Sequence, residues 1–220
     1  MQPTITLTIL TQTFDEFSKQ ATIASSFLPY IQIDVMDGKF VPTVSFPERT
    51  EINDLGLNLQ YELHLMVADP VAEMRRWQTV ESVFRVLFHY EAVKDDPLRP
   101  ITFARREGWE VGVVINPDTP LSDIESLLPK IDVLQFMTVY PGRQGAPFEP
   151  KVLEKIAEFT KRTKRPLCAV DGAVNLETIT QLRDAGVELF NVGSFFTKAP
   201  DMHEAYEELR QALKHKDIKT

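Results

Sequence analysis

Residues 167–194 read LCAVDGAVNLETITQLRDAGVELFNVGS, and this stretch decides the fold. It opens with a short apolar run, Leu167–Val170, passes through Asp171 and Gly172, and continues with helical spacing from Leu176 to Ala185. Gly186 stands just past that helix, where a left-handed residue commonly closes the last turn. A second apolar run, Leu189–Val192, then ends on Gly193 and Ser194. Strand, helix and strand in this order predict a βαβ unit with parallel strands.

The same unit recurs on the N-terminal side. Apolar runs at Ile5–Leu10, Ile31–Val35, Leu63–Val67, Val83–Phe88, Val111–Ile115 and Val133–Val139 bring the strands to eight. They are rich in Val, Ile, Leu and Phe and bounded by Gly, Pro, Asp or Asn, as buried parallel strands are. Helical spacing is clearest between them at Pro150–Thr163 and after them at Met202–Leu213. Asp95–Pro100 reads as a turn into a helix. Eight units in 220 residues predict an α/β fold, a single (β/α)8 TIM barrel with one domain over residues 1–220. No Gly-x-Gly-x-x-Gly follows the first strand, so a dinucleotide-binding fold has no support.

Composition narrows the function classes. Hydrophobic residues make up 43% and charged residues 25%, ordinary for a globular domain. A formal net charge of −8 argues against nucleic acid or an anionic membrane as partner. It leaves room for a small anionic substrate, because local backbone N–H groups can hold a phosphate. No apolar run reaches the roughly 20 residues that span a bilayer. The opening MQPTITLTIL lacks a basic region followed by a long apolar stretch, so a cytoplasmic location is expected. The single cysteine, Cys168, fits a reducing compartment and reads as a small core residue.

In such barrels the active site lies at the C-terminal ends of the strands. Those ends carry Thr8, Asp34, His64, His89, Asn116, Thr138, Asp171 and the pair Gly193–Ser194. Alternation within Ile31–Val35 turns Gln32 and Asp34 toward the barrel interior together. An inward carboxylate is costly unless it is paired, hydrogen-bonded or metal-bound, which favours a functional Asp34. His64 could be a satisfied core histidine, but its place on the unit beside Asp34 favours the site. His89 stays open between lining the site and structural hydrogen bonding. Asp37-Gly38 reads as local turn bonding. Gly172, Gly193 and Ser194 fall where barrels often take a phosphate. Arg143 and Gln144 lie on the Tyr140–Gly145 loop, which could close over a ligand or be a plain turn.

Five blocks together resemble a known family. They are Asp34-Val35-Met36-Asp37-Gly38-Lys39-Phe40-Val41-Pro42, His64-Leu65-Met66-Val67, Asn116-Pro117-Asp118-Thr119-Pro120, Met137-Thr138-Val139-Tyr140-Pro141-Gly142 and Val170-Asp171-Gly172. In order and spacing they resemble the ribulose-5-phosphate 3-epimerases, from about the first strand to Ser194. The allulose-6-phosphate epimerase branch shares these motifs. The resemblance implies an isomerase of carbohydrate metabolism, an epimerase of the pentose phosphate route. It would interconvert D-ribulose 5-phosphate and D-xylulose 5-phosphate through an enediolate. It implies Asp34 and Asp171 as the two acid/base residues. It further implies a divalent metal, zinc or iron with manganese as a third option, at Asp34, His64, Asp171 and the position of Gln32. Met36, Met66 and Met137 match an apolar sheath over the intermediate. Thr8, Gly142, Gly145, Gly172, Gly193 and Ser194 fall at substrate-binding positions, and family analogy suggests a homo-oligomer.

The chain also departs from the pattern. Gln32 stands where the family has a metal-binding His, and a Gln carbonyl is a poorer zinc ligand than imidazole. Thr8 replaces Ser, Gln144 replaces one of two paired Gly, Ala173 replaces the Gly after the second aspartate, and Lys39 replaces His. Two alternatives therefore stay open: a diverged, non-catalytic sugar-phosphate-binding homologue with a weakened metal site, and an epimerase for another keto-sugar phosphate such as allulose 6-phosphate.

Overall fold

A computed structural model describes residues 3–45, 49, 51–142 and 146–214. Eight parallel strands close into a barrel in chain order. They are β1 (Thr4–Ile9), β2 (Tyr30–Met36), β3 (Gln60–Met66), β4 (Val83–His89), β5 (Glu110–Ile115), β6 (Val133–Met137), β7 (Leu167–Asp171) and β8 (Leu189–Val192). β8 pairs with β1 through Thr4 opposite Leu189 and Leu7 opposite Val192, which seals the ring. The (β/α)8 TIM barrel expected from the strand count is the fold observed.

Helices α1 (Phe14–Ala24), α2 (Glu51–Asp54), α3 (Pro70–Trp77), α4 (Leu98–Arg106), α5 (Val152–Thr160), α6 (Ile179–Asp184), α7 (Ser194–Thr197) and α8 (Met202–Lys214) connect and follow the strands. The β5–β6 connection differs: it holds two 3-10 turns, Leu121–Ile124 and Leu128–Lys130, with Pro120 and Pro129 limiting a longer helix. α6 starts three residues later than the spacing from Leu176 predicts. The Asn175 carboxamide oxygen accepts from the N–H groups of Glu177 and Thr178, and its carbonyl accepts from Ile179 N–H, so Asn175 caps an opening turn that leads into the regular helix. None of the described helices is long and apolar enough to cross a membrane.

Strand alternation creates two cores. Outward-facing Ile31, Ile33, Leu63, Leu65, Val86, Phe88, Leu134, Phe136, Val170 and Phe190 pack against the helices in one apolar annulus, which also buries Cys168. Inside the ring, Leu87, Val114, Val133, Met137, Ala169 and Leu189 form a smaller apolar cluster with Val139. Gly112 makes room for it: a Cβ there would lie 2.2 Å from Leu87 Cδ2 and 2.9 Å from the Val133 carbonyl oxygen. The rest of the interior is polar. Buried Gln32, Glu62, Arg85, Gln135 and Asn191 fill the middle of the barrel, where branched aliphatics usually sit.

Candidate active site

Register brings the site together. β2 and β3 pair with Asp34 opposite His64 and Met36 opposite Met66, while β6 and β7 pair with Met137 opposite Asp171. At the C-terminal mouth, His64 Nδ1 lies 3.0 Å from Asp34 Oδ1 and 3.0 Å from Asp171 Oδ2. The three donor atoms fall within 4.8 Å of one another, and all three residues are buried. A cleft open to solvent lies above them. Thr8, Asp34, Met36, Met66, Met137, Gly142, Asp171, Gly172, Gly193 and Ser194 line it, and so do Leu10, Val139, Pro141, Ala146, Ala173 and Val174. Gly145, Arg143 and Gln144, also considered from sequence, lie outside the described residues.

Burial and the neighbouring Asp171 charge push the Asp34 carboxyl well above the ordinary carboxylate range, against the opposing pull of His64. Burial alone would lower His64, but its hydrogen bonds and charge contacts with Asp171 and Asp34 outweigh that and raise it. The two carboxyl groups thereby favour the protonated His64 ring. A divalent ion would compete for the same Nδ1 position.

Gln32 takes no part in that convergence. Its Oε1 accepts from the Thr8 hydroxyl at 3.1 Å, and its Nε2 donates to Glu62 Oε1 at 2.9 Å and Gln135 Oε1 at 3.1 Å. Asn191 Nδ2 donates to the same Gln135 oxygen at 2.7 Å, and Arg85 Nη1 to Glu62 Oε2 at 2.7 Å. Gln32 thus belongs to the polar layer beneath the site. Sequence reasoning overlooked the rest of this layer, although a pattern marks it. Glu62, Gln135 and Asn191 each stand two residues before a mouth residue, His64, Met137 and Gly193, as Gln32 stands before Asp34. Period-two alternation puts each on its neighbour's face.

Other strand-end residues take supporting places. His89 sits behind His64, with the two Nε2 atoms 3.0 Å apart. Thr138 fastens the end of β7: its N–H donates to the Asp171 carbonyl at 2.8 Å and its hydroxyl donates to the Gly172 carbonyl. Asn116 donates its backbone N–H to Glu91. Asp37 makes the local turn bonds expected, accepting from Lys39 N–H and Phe40 N–H with Oδ1, and also ties the turn to the segment after β3 by accepting from Ala68 N–H with Oδ2. The loop it shapes lays Val41 and Phe40 against Met36 and Met66, an apolar cap beside the cleft. Gly172, at φ +106, has no room for a side chain, since a Cβ would meet Val139 at 2.5 Å.

Comparison with known proteins agrees with this geometry. The family model described as the ribulose-phosphate 3 epimerase family matches residues 4–197. A ribulose-phosphate 3-epimerase of Mycobacterium leprae (strain TN) is 32% identical over 220 residues, covering 96% of this chain and 95% of that protein. The Escherichia coli (strain K12) ribulose-phosphate 3-epimerase is 30% identical over 189 residues, 83% of each chain. Among solved structures, 3-hexulose-6-phosphate synthase from Salmonella typhimurium superposes with a TM-score of 0.70 at 16% identity, over 97% of this chain and 99% of that one, a likeness of fold. With two carboxylates and an imidazole at the mouth of the barrel and a family match over nearly its whole length, the chain belongs to the ribulose-phosphate 3-epimerase family.

Proposed function

We propose that this protein is a ketose-phosphate 3-epimerase that interconverts D-ribulose 5-phosphate and D-xylulose 5-phosphate. The observation that carries the proposal is the convergence of Asp34 and Asp171, from two different strands, on His64 Nδ1, 3.0 Å from each, at the floor of the cleft. Epimerisation at C3 needs a base on one face of the substrate and an acid on the other. The C3 proton is acidified by the neighbouring C2 carbonyl, so a carboxylate can remove it to give an enediolate. One aspartate takes that proton, and the other, protonated, delivers one to the opposite face. The raised Asp34 carboxyl fits a group that must exchange protons near neutral pH. Met36, Met66 and Met137 would cover the intermediate and limit water. Gly172, Ala173, Gly193 and Ser194 would hold the phosphate end, where small residues let the backbone approach an anion. Thr8 and Gly142 complete the wall.

The donor set fits a divalent cation. Asp34, His64 and Asp171 would hold it, and three protein ligands leave positions for substrate oxygens. Two carboxylates and one imidazole suit zinc or ferrous iron, with manganese also compatible. Gln32, tied to Thr8, Glu62 and Gln135, stays outside this set. When bound, such an ion stabilises the enediolate as a Lewis acid.

The test is exchange of the C3 proton of ribulose 5-phosphate with deuterated solvent, followed by NMR in metal-supplemented buffer. Exchange in the native protein should fall roughly 10²- to 10⁴-fold in Asp34→Asn and Asp171→Asn. Native protein that exchanges no carbon-bound proton in ribulose 5-phosphate with zinc, iron or manganese present would overturn the proposal.

A further inference from the structure

Behind the three candidate ligands runs a buried chain of polar groups that epimerisation itself does not use. His64 Nε2 faces His89 Nε2 at 3.0 Å, with the two ring planes only 23° apart. His89 Nδ1 faces Glu91 Oε2 at 3.3 Å. Glu91 Oε1 accepts from the Asn116 N–H at 2.8 Å and from the Thr119 hydroxyl. Lys155 Nζ fixes that same turn from outside, donating to the carbonyls of Pro117 at 2.7 Å and Thr119 at 2.6 Å. Both histidines are fully buried, and the Phe40 ring closes over His89 at 4.8 Å.

Hydrogen positions follow from what each group can do. An ionised carboxylate only accepts, so the nitrogen of His89 facing Glu91 carries the hydrogen. A neutral imidazole has one N–H, which leaves His89 Nε2 a lone pair. Only one hydrogen fits between two nitrogens 3.0 Å apart, and it then belongs to His64. His64 Nε2 is thereby committed as a donor, and in the neutral ring Nδ1 is the nitrogen left to present a lone pair toward Asp34 and Asp171.

We propose that Glu91 and His89 are positioning residues that fix the tautomer and ring orientation of His64, holding its Nδ1 lone pair ready for a divalent cation. The proposal rests on the metal part of the functional reading above. Outer-shell partners of a metal-binding histidine usually act in this way, through a carboxylate, carbonyl or water on the other ring nitrogen. Here the carboxylate acts one residue further out, through a second imidazole, and is itself anchored by the β5–β6 connection.

Glu91→Gln is the discriminating change. The Asn116 N–H needs an acceptor, so the new amide keeps its oxygen there and turns its NH2 toward His89 Nδ1. That reverses the chain: His89 becomes the Nε2–H tautomer, His64 Nε2 becomes an acceptor, and a proton occupies His64 Nδ1 where the cation should sit. Zinc affinity, measured on purified protein by competition with a chromophoric chelator, should fall roughly 10- to 100-fold in Glu91→Gln. In the native zinc-loaded protein, 15N NMR of labelled imidazoles should show hydrogens on His89 Nδ1 and His64 Nε2, a result that does not depend on the variant folding. Native spectra with the hydrogen on His89 Nε2, or zinc binding undiminished in Glu91→Gln, would overturn this inference and leave the epimerase proposal standing. Failure of zinc to bind the native protein would overturn both this inference and the metal part of that proposal.

Discussion

The barrel has two interiors, one apolar and one in which a polar layer sits beside a smaller apolar cluster. Between strands and helices, the annulus around Leu63, Phe88, Phe136, Phe159 and Leu182 is apolar throughout. Inside the ring, Gln32, Glu62, Arg85, Gln135 and Asn191 are just as buried and hold one another by hydrogen bonds. Burying polar groups costs free energy unless every partner is in place, whereas burying apolar area stabilises without needing a partner. The annulus therefore carries the stability of the fold. The lumen can be spent on a layer that locks the bases of β2, β3, β6 and β8 in register and so aims the groups above it.

The largest effects should separate the two interiors cleanly. Phe136, fully buried and 5.5 Å from the Phe159 ring, belongs to the annulus. Phe136→Ala should cost about 3–5 kcal/mol of unfolding free energy in urea titrations, by lost burial and a residual cavity. Asp171→Asn should do the reverse, losing proton exchange while leaving urea stability equal or higher, because a buried carboxylate beside another disappears. If Asp171→Asn destabilised the protein as much as Phe136→Ala, the division of labour would be wrong.

The next largest effect tests the polar layer. Arg85 Nη1 lies 2.7 Å from Glu62 Oε2, and its Nη2 lies 2.7 Å from Glu110 Oε2. Arg85→Met leaves the Glu62 charge buried with only amide partners and should cost about 3 kcal/mol. Adding Glu62→Gln should recover most of that loss, because the uncompensated charge is then gone. A double variant no more stable than Arg85→Met would mean that the arginine acts by packing, and the electrostatic account of the lumen would fail.

Acid should distinguish the interiors too. Burial would raise Glu91, but hydrogen bonds from His89, Asn116 and Thr119 outweigh it and hold its carboxyl down at about 2. A carboxyl depressed on folding adds stability fully present above its unfolded value near 4.5 and lost as pH falls toward 2. Stability in urea should therefore drop across that window by on the order of 2–3 kcal/mol more in the native protein than in Glu91→Gln. Equal slopes for the two proteins would remove Glu91 from the acid response.

The annulus was readable from sequence because its signal is simple repetition. Alternating Ile, Val, Leu and Phe located all eight strands, with errors mostly at the ends: β3 starts at Gln60 rather than Leu63, and β6 stops at Met137 rather than Val139. Asp34, His64 and Asp171 were also legible, since a charged or titratable residue ending an apolar run has few inexpensive explanations. The polar lumen was harder. Whether Glu62 meets Gln32 depends on β2–β3 register, and whether Gln135 meets Asn191 depends on curvature across the ring, which no local pattern encodes. For the same reason His89 stayed ambiguous: its partners, His64 and Glu91, are fixed by the barrel and by a 3-10 turn, Tyr90–Ala92.

The smallest expected effect lies where the lumen meets the loops. Ala173 follows Gly172 at the edge of the cleft with φ +47, the only positive-φ residue other than glycine among those described. An L-residue held there is strained by its Cβ, whereas glycine adopts the same backbone freely. Ala173→Gly relieves the strain but loosens the unfolded chain, and the net should be a gain of up to about 1 kcal/mol in urea titrations. The turn is already fastened by Thr178 and Asn175, which donate to the Ala173 carbonyl at 2.7 and 3.2 Å, so it should keep its shape. If the backbone here holds the phosphate, removing a methyl group from the cleft wall should leave the KM for ribulose 5-phosphate unchanged or lower. A loss of stability together with a higher KM would mean that the Ala173 methyl contributes packing to the site, and that this turn belongs with the apolar annulus rather than with the polar mouth.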